Sequence, residues 1–342
     1  MTAFLDHLGR PLRSLRLSVT DRCNLRCAYC MPEEEYAWLP KRDILSFEEM
    51  ARLVEIFVSL GIDRLRITGG EPLIRRDLES LLTDLSGLPG IQDLAMTTNG
   101  ILLPEKARVL REAGLHRLTV SLDTLDPERF RRITRRDDLD RVLLGIDSLI
   151  DHGFERTKLD SVIIRGTNED EILGLLDFAR EKRLELRYIE YMDVGGATAW
   201  SRDRVVTRKE ILQEIEAAHG AVEPVEEPES TAPADRYRLP DGTVFGIISS
   251  TTQPFCGSCD RSRLTADGHW FLCLYAREGV DLRAPLRAGW STEDLAGLIR
   301  RTWGERQDRG AELRLEQEDR QAFAGVEEMK ANPHLEMHTR GG

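Results

Sequence analysis

Six cysteines stand in two tight triplets, Cys23, Cys27 and Cys30, then Cys256, Cys259 and Cys273, with 225 cysteine-free residues between them. A disulfide framework spreads an even number of cysteines through a short secreted chain. Two triplets in a chain of 342 residues point to metal instead. Three per group is the informative count, because structural zinc takes four protein ligands and ordinary iron–sulfur clusters take four cysteines. Each triplet therefore either recruits a histidine or leaves one metal position open to a ligand. The first loop holds no histidine, and His269 is the one candidate beside the second triplet. An open position is the better reading.

Cations are the second chemical signal. The formal charge of −12 speaks against a general nucleic-acid binder. Yet 42 of the 48 basic residues are arginine, and a few inward-facing guanidiniums hold phosphate through paired hydrogen bonds. No P-loop or Ser–His–Asp arrangement stands out.

The elements that must position these groups follow from periodicity. Strand-like runs cover 15–19, 64–68, 93–98, 117–122, 158–164 and 184–192. Helical patterns lie between them at 47–60, 77–85, 104–113, 138–152 and 169–182, the first opened by the capping box Ser46-Phe47-Glu48-Glu49. Strand and helix alternate with a repeat of roughly 25–35 residues, which means β/α units and a parallel sheet. Six units are two short of the closed eight-unit barrel. The expected fold is α/β, a partial, six-unit open β/α barrel.

Period two along the strands sharpens this. Leu15, Leu17 and Val19 share one face, while Arg16, Ser18 and Thr20 share the other. Arg64, Arg66 and Thr68, then Thr119, Ser121 and Asp123, then Lys158 and Asp160, repeat the polar face. These faces either line an interior or look to solvent. Parallel sheets covered on one side are uncommon, which favours a polar lumen for a sizeable hydrophilic ligand.

The pattern changes after residue 205, dividing the chain into 1–205 and an α+β extension, 206–342. A helix at 207–218 leads to EPVEEPESTAPAD (223–235), which reads as a mobile loop. Asp241-Gly242 and Asp267-Gly268 each mark a hairpin. A helix at 291–303 and a charged tail ending in Gly341-Gly342 follow. No stretch approaches the roughly 18 apolar residues of a membrane span, and MTAFLDHLGRPLRS lacks a signal-peptide core, so a cytoplasmic protein is expected.

The first triplet spells CNLRCAYC, a Cx3Cx2C spacing on the loop after the first strand. There the chain resembles the radical S-adenosylmethionine enzymes, with Thr68-Gly69-Gly70-Glu71-Pro72 matching their segment for the methionine amino group. SLRLSVTDRCNLRCAYCMP, LRITGGEPLIRRDL, MTTNG, VSLDTLD, RYIEYMDVG, CGSCDRSRLTADGHWFLCL and the terminal Gly-Gly narrow the resemblance to the GTP 3′,8-cyclase family of molybdenum-cofactor biosynthesis, over almost the whole chain.

The resemblance implies two [4Fe–4S] clusters. Cys23, Cys27 and Cys30 hold one, whose fourth iron takes S-adenosylmethionine. Cys256, Cys259 and Cys273 hold the other, with its open iron facing guanine. It implies cofactor contacts from Tyr29, Gly70, Ser121 and Met192, and GTP contacts from Arg16, Arg66, Thr97, Lys158, Arg261 and Arg263. The implied reaction is that of a lyase converting GTP to 3′,8-cyclo-7,8-dihydro-GTP. A cofactor-derived radical supplies the hydrogen abstraction that side-chain acids and bases cannot. No side chain serves as acid or base, and the Gly341-Gly342 tail assists. Flavodoxin or ferredoxin as electron donor, cyclic pyranopterin monophosphate synthase as recipient and a homodimer are implied as partners.

A zinc loop, a peptide-modifying radical enzyme and a simple iron–sulfur electron carrier are the alternatives. The last needs neither an open iron nor a polar lumen. Against the family pattern, Asp160 and Asp260 stand for Asn, Ser262 for Leu, Arg135 for Gly and Arg340 for Ile. Asp160 is expected to pair with Lys158, and Arg340 to add a cation beside the triphosphate or the lumen carboxylates.

Overall fold

Alternating short strands and amphipathic helices build one sheet in a computed structural model of the chain, which describes residues 4–226 and 231–341. The strands are β1 (Ser14–Ser18), β2 (Arg64–Thr68), β3 (Asp93–Thr98), β4 (Arg117–Ser121), β5 (Lys158–Ile163) and β6 (Glu185–Glu190). The C-terminal region adds β7 (Glu223–Pro224), β8 (Asp235–Arg238), β9 (Val244–Ile248), β10 (Arg261–Leu264), β11 (His269–Phe271) and β12 (Val280–Asp281). The order across the sheet is β12-β11-β10-β1-β2-β3-β4-β5-β6-β9-β8-β7. β1 to β6 run parallel in sequence order with helices between them, the expected six-unit open barrel.

The helices form because each offers one apolar stripe. In Phe47–Ser59, Met50, Leu53, Val54 and Phe57 follow an i, i+3, i+4, i+7 spacing and are fully buried. Burying each such side chain contributes about 1.5–3 kcal/mol, more than intrinsic helix propensity supplies. Ser46 and Glu49 complete the capping box by reciprocal bonds of 3.2 and 2.8 Å. The outward face of the sheet meets these stripes with Leu15, Leu17, Leu65, Ile67, Leu118 and Val120, each at most 1% exposed.

Strand register decides which cations stand side by side. β1 pairs in parallel with β2 on one side and β10 on the other, setting Arg16 level with both Arg66 and Arg263. The C-terminal region thus extends both edges, β10 beside β1 and β9 beside β6. Among the described residues β9 and β10 do not pair with each other, so side chains rather than a hydrogen-bonded ladder enclose the interior.

Two segments depart from expectation, and a third takes a form that the sequence reading left open. The 223–235 stretch is not one loop: Glu223 and Pro224 pair with Arg238 and Tyr237, and Thr231, Ala232 and Pro233 line the interior. Residues 227–230 lie outside the described residues. Pro127–Thr134 is an additional helix, ended by Arg135 in the left-handed region at φ 57°, a conformation that favours the glycine usual there. The charged tail is not loose. It folds into Val326–Ala331, Pro333–Leu335 and Met337–Arg340, because Met329, Leu335 and Val194 share a small apolar cluster. Among the described residues no helix is long and apolar enough to cross a membrane.

Candidate functional site

The polar faces of the strands enclose a cavity of about 480 Å³. Both cysteine triplets line it, as do Tyr29, Gly70, Ser121, Met192, Arg16, Arg66, Thr97, Lys158, Arg261 and Arg263. The triplets sit at opposite ends. Cys23, Cys27 and Cys30 follow the C-terminal end of β1, whereas Cys256 and Cys259 precede β10, whose Arg261 pairs with Ser14 at the N-terminal end of β1. At about 3.3 Å per residue, a five-residue strand places these ends roughly 13 Å apart.

At the C-terminal end the cysteines are free thiols, half-buried on the cavity wall. Leu25 N and Asn99 Nδ2 approach Cys23 Sγ at 3.4 and 3.9 Å. Burial pushes the Cys23 thiol up to about 11 and those of Cys27 and Cys30 upward as well. Lone thiolates are thus disfavoured here, and a bound cationic centre would reverse that balance, as metals do for coordinating thiols. Tyr29 is held by a 2.6 Å bond from its hydroxyl to Asp123, whose other oxygen accepts from Val162 N at 2.8 Å. Burial raises the Asp123 carboxyl to about 6.

The paired glycines have a physical reason that differs from simple ligand access. A Cβ on Gly69 would lie 2.4 Å from Thr20 O, and one on Gly70 only 2.2 Å from Arg22 O. Gly70 N donates to Thr20 O at 2.9 Å, so the cysteine loop itself lies against the glycines. Gly196 does the same from another side, its Cβ position falling 1.8 Å from Cys30 O. Glu71, buried, accepts from Leu73 N, Thr98 Oγ1 and Asn99 N at 2.7–3.0 Å, and burial lifts its carboxyl to about 7.

Between the two ends the cations crowd together. Burial first, then repulsion from Arg263 and Arg261, lowers the Arg16 guanidinium to about 9. Burial and Arg16 bring Arg66 to about 9, and burial and Arg261 bring Arg263 to about 10. Arg66 Nη1 donates to Thr97 Oγ1 and Thr119 Oγ1, both at 3.1 Å, and among the described residues pairs with no carboxylate. Lys158 pairs with Glu185 at 3.3 Å rather than with Asp160, whose Oδ1 is buried without a hydrogen bond. That corrects the expected Lys158–Asp160 pair. β5 and β6 set Lys158 opposite Glu185, while Asp160 lies opposite Arg187. Mutually repelling, poorly paired cations inside a cavity fit a polyanion.

The second triplet is built differently. Burial opposes ionisation of Cys259, but the charges of Arg261 and Arg306 prevail and bring its thiol down to about 7. Arg306 is buried and donates to Cys259 O at 2.8 Å, with its other nitrogen 3.7 Å from Sγ. Arg10, anchored on Asp6, donates to Cys256 O at 3.0 Å. Arg261 stacks 4.5 Å over Phe255, leaving its Nη2 without a hydrogen-bond partner. His269, the one histidine near this triplet in sequence, lies 3.3 Å from Asp267 and does not line the cavity. Three cysteines at each end fit a cluster with one open position, and His338, which no triplet spacing includes, also lines the cavity with both ring nitrogens buried and without a hydrogen bond.

Two tail expectations meet different outcomes. Gly341 enters: its carbonyl accepts from Arg263, and a Cβ there would lie 2.2 Å from Thr68 Cγ2. Gly342 lies outside the described residues. Arg340 contributes no free cation to the lumen, because it is buried over Phe271 at 4.3 Å and donates to Leu274 O and His334 O. Asp260 pairs with Arg64 and Thr231, which makes its charge useful where Asn is usual. Sequence reasoning missed Glu185, Arg187 and Asp123 as site residues. All three carry the same period-two signal as their neighbours, Glu185 and Arg187 on β6 and Asp123 just beyond β4.

Comparisons with known proteins agree with this geometry. The Radical SAM superfamily matches residues 17–179 and the Molybdenum Cofactor Synthesis C family residues 184–312. GTP 3′,8-cyclase 3 of Mycobacterium bovis is 54% identical over 341 residues, covering 98% of this chain and 90% of that protein. GTP 3′,8-cyclase of Acidothermus cellulolyticus is 45% identical, covering 97% and 95%. In fold, the solved structure of Streptococcus suis SuiB bound to S-adenosylmethionine aligns with a TM-score of 0.57 at 16% identity, covering 85% of this chain and 68% of that one.

Proposed function

The chain belongs to the GTP 3′,8-cyclase family of radical S-adenosylmethionine enzymes, and from that membership we infer that it joins C3′ of GTP to C8 of its own guanine, in molybdenum-cofactor biosynthesis. One observation carries the inference beyond the family name. The under-paired cations Arg16, Arg66 and Arg263 lie with Lys158 in a single cavity that has a cysteine triplet at each end.

Cys23, Cys27 and Cys30 would hold the [4Fe–4S] cluster that binds S-adenosylmethionine, and Cys256, Cys259 and Cys273 a second cluster. When bound, the first cluster and S-adenosylmethionine supply the one-electron hydrogen abstraction that no side chain provides. The chain's own residues bind, orient and shield. Tyr29, fixed by Asp123, packs beside the first triplet, with Gly70, Ser121 and Met192 completing the cofactor's wall. Arg16, Arg66, Thr97, Lys158, Arg261 and Arg263 hold the nucleotide, the level register of Arg16, Arg66 and Arg263 suiting adjacent phosphates. Gly341 reaches in beside the nucleotide, and the Gly341-Gly342 tail assists the reaction. The enclosing tail keeps water and stray hydrogen donors from the reacting carbon.

Residues 1–205 act as the cofactor-binding part and 206–342 as the part that completes the site. A flavodoxin or ferredoxin supplies electrons, and cyclic pyranopterin monophosphate synthase takes the product. A homodimer and a cytoplasmic setting complete the proposal.

Anaerobic reconstitution tests this directly. Iron and sulfide analysis should give about eight irons per chain, four for each triplet. GTP-dependent formation of 5′-deoxyadenosine should accompany them. About four irons would remove the second cluster, and 5′-deoxyadenosine formation indifferent to GTP would remove the substrate.

A further inference from the structure

Outside the cavity, Asp267, His269 and His334 each offer one ligand atom, all within 4.8 Å of one another. Asp267 and His269 flank Gly268 of the β10–β11 hairpin turn, and His334 sits 67 residues away in the tail turn Pro333–Leu335. Asp267 is buried, and its Oδ1 is fixed by a 2.6 Å bond from Thr265 Oγ1. Its Oδ2 faces His334 Nε2 at 2.8 Å and His269 Nδ1 at 3.3 Å. That Nδ1 is buried and makes no hydrogen bond of acceptable geometry. The two imidazole rings lie 4.3 Å apart. Two imidazoles and one carboxylate with no sulfur are a donor set for borderline divalent cations, and the Thr265 bond is the kind of outer contact that orients a ligating carboxylate.

We propose that Asp267, His269 and His334 bind one divalent transition-metal ion of the zinc class, with water filling the remaining position. The ion gives the unpartnered His269 nitrogen a partner and leaves one net positive charge on the site. It also clamps the hairpin to the tail: the main-chain carbonyl of His334 accepts from Arg340, immediately before the glycine that meets Arg263.

The test uses the full chain with both cysteine triplets loaded anaerobically with iron and sulfide, then equilibrated with zinc chloride and desalted. Expected are one zinc per chain and a zinc K-edge absorption spectrum with nitrogen and oxygen scatterers at about 2.0–2.2 Å and no sulfur shell at about 2.3 Å. His334→Gln and His269→Gln should each weaken zinc binding by about tenfold or more at unchanged iron content. Zinc should raise the melting temperature of the wild type only. A sulfur shell, no retained zinc, or equal retention in the variants overturns the proposal. Should His334→Gln fold poorly, His269→Gln decides the matter alone.

Discussion

The guanidinium of Arg263 donates to the main-chain carbonyl of Gly341, so Gly341 lies in the interior, against a strand that begins 80 residues earlier. Gly341 takes φ +76° there, and a side chain would strike Thr68 Cγ2 and Ser18 Oγ. Only a residue without Cβ fits both the backbone and the space.

Deleting Gly341 and Gly342 should therefore leave both clusters and the melting temperature unchanged while product formation stops. Gly341→Ala should act in the same direction, because its Cβ position is 2.2 Å from Thr68 Cγ2. Full turnover by the truncated chain, followed by chromatography of the product, would show that the tail is dispensable.

The two triplets should divide the labour. Cys27→Ser should abolish reductive cleavage of S-adenosylmethionine. Cys259→Ser should retain cleavage and lose cyclisation, since Cys259 stands at the far end of the cavity beside Arg261 and Arg306. Assay of 5′-deoxyadenosine and cyclised nucleotide in parallel separates the two, and identical defects would refute the division.

Arg66 donates to two threonine hydroxyls and, among the described residues, to no carboxylate. Arg66→Ala and Arg16→Ala should each weaken GTP by roughly 1.5–3 kcal/mol, the range of a charge-assisted bond, with S-adenosylmethionine affinity nearly unchanged. Calorimetric titration with GTP checks this. Equal losses for both ligands would point to a general disturbance of the cavity.

Asp160 is a partly buried carboxylate that attracts Arg16 and Arg66, with its Oδ1 buried and without a hydrogen bond. It competes with the triphosphate for those cations. Asp160→Asn should tighten GTP by roughly 0.5–1.5 kcal/mol, in line with Coulomb interaction at a moderate effective dielectric. Weaker binding would mean that the carboxylate orients the arginines instead.

Burial and the Arg187 charge lower the Lys158 ammonium to about 8. Its folded value lies below its unfolded one, so the charged form opposes folding below pH 8. That cost fades as the pH rises from about 8 towards 10.5, and stability of the nucleotide-free chain should climb over this window. GTP needs the charged form, so its affinity should fall by about tenfold between pH 7 and 9. Lys158→Arg should flatten the profile, and an identical profile in that variant would exclude Lys158 as its source.

The β/α alternation, the polar inner face, the capping box, both Asp-Gly hairpins and the metal-like cysteine spacing are all legible in the residues alone. Each is local, a period of 2 or 3.6 or a turn chemistry acting within a few residues. Thus Arg16, Arg66 and Lys158 could be placed on the lumen face before any fold was known. Which side chains meet emerges with the folded sheet. It pairs Lys158 with Glu185 rather than Asp160, turns Arg340 onto Phe271, sets Arg263 level with Arg16, and presses Gly69 and Gly70 against the cysteine loop. These outcomes depend on strand register and on contacts between residues far apart in the chain. Such pairings leave no periodic trace in the sequence, because the partner is chosen by packing, and packing exists only once the sheet has formed.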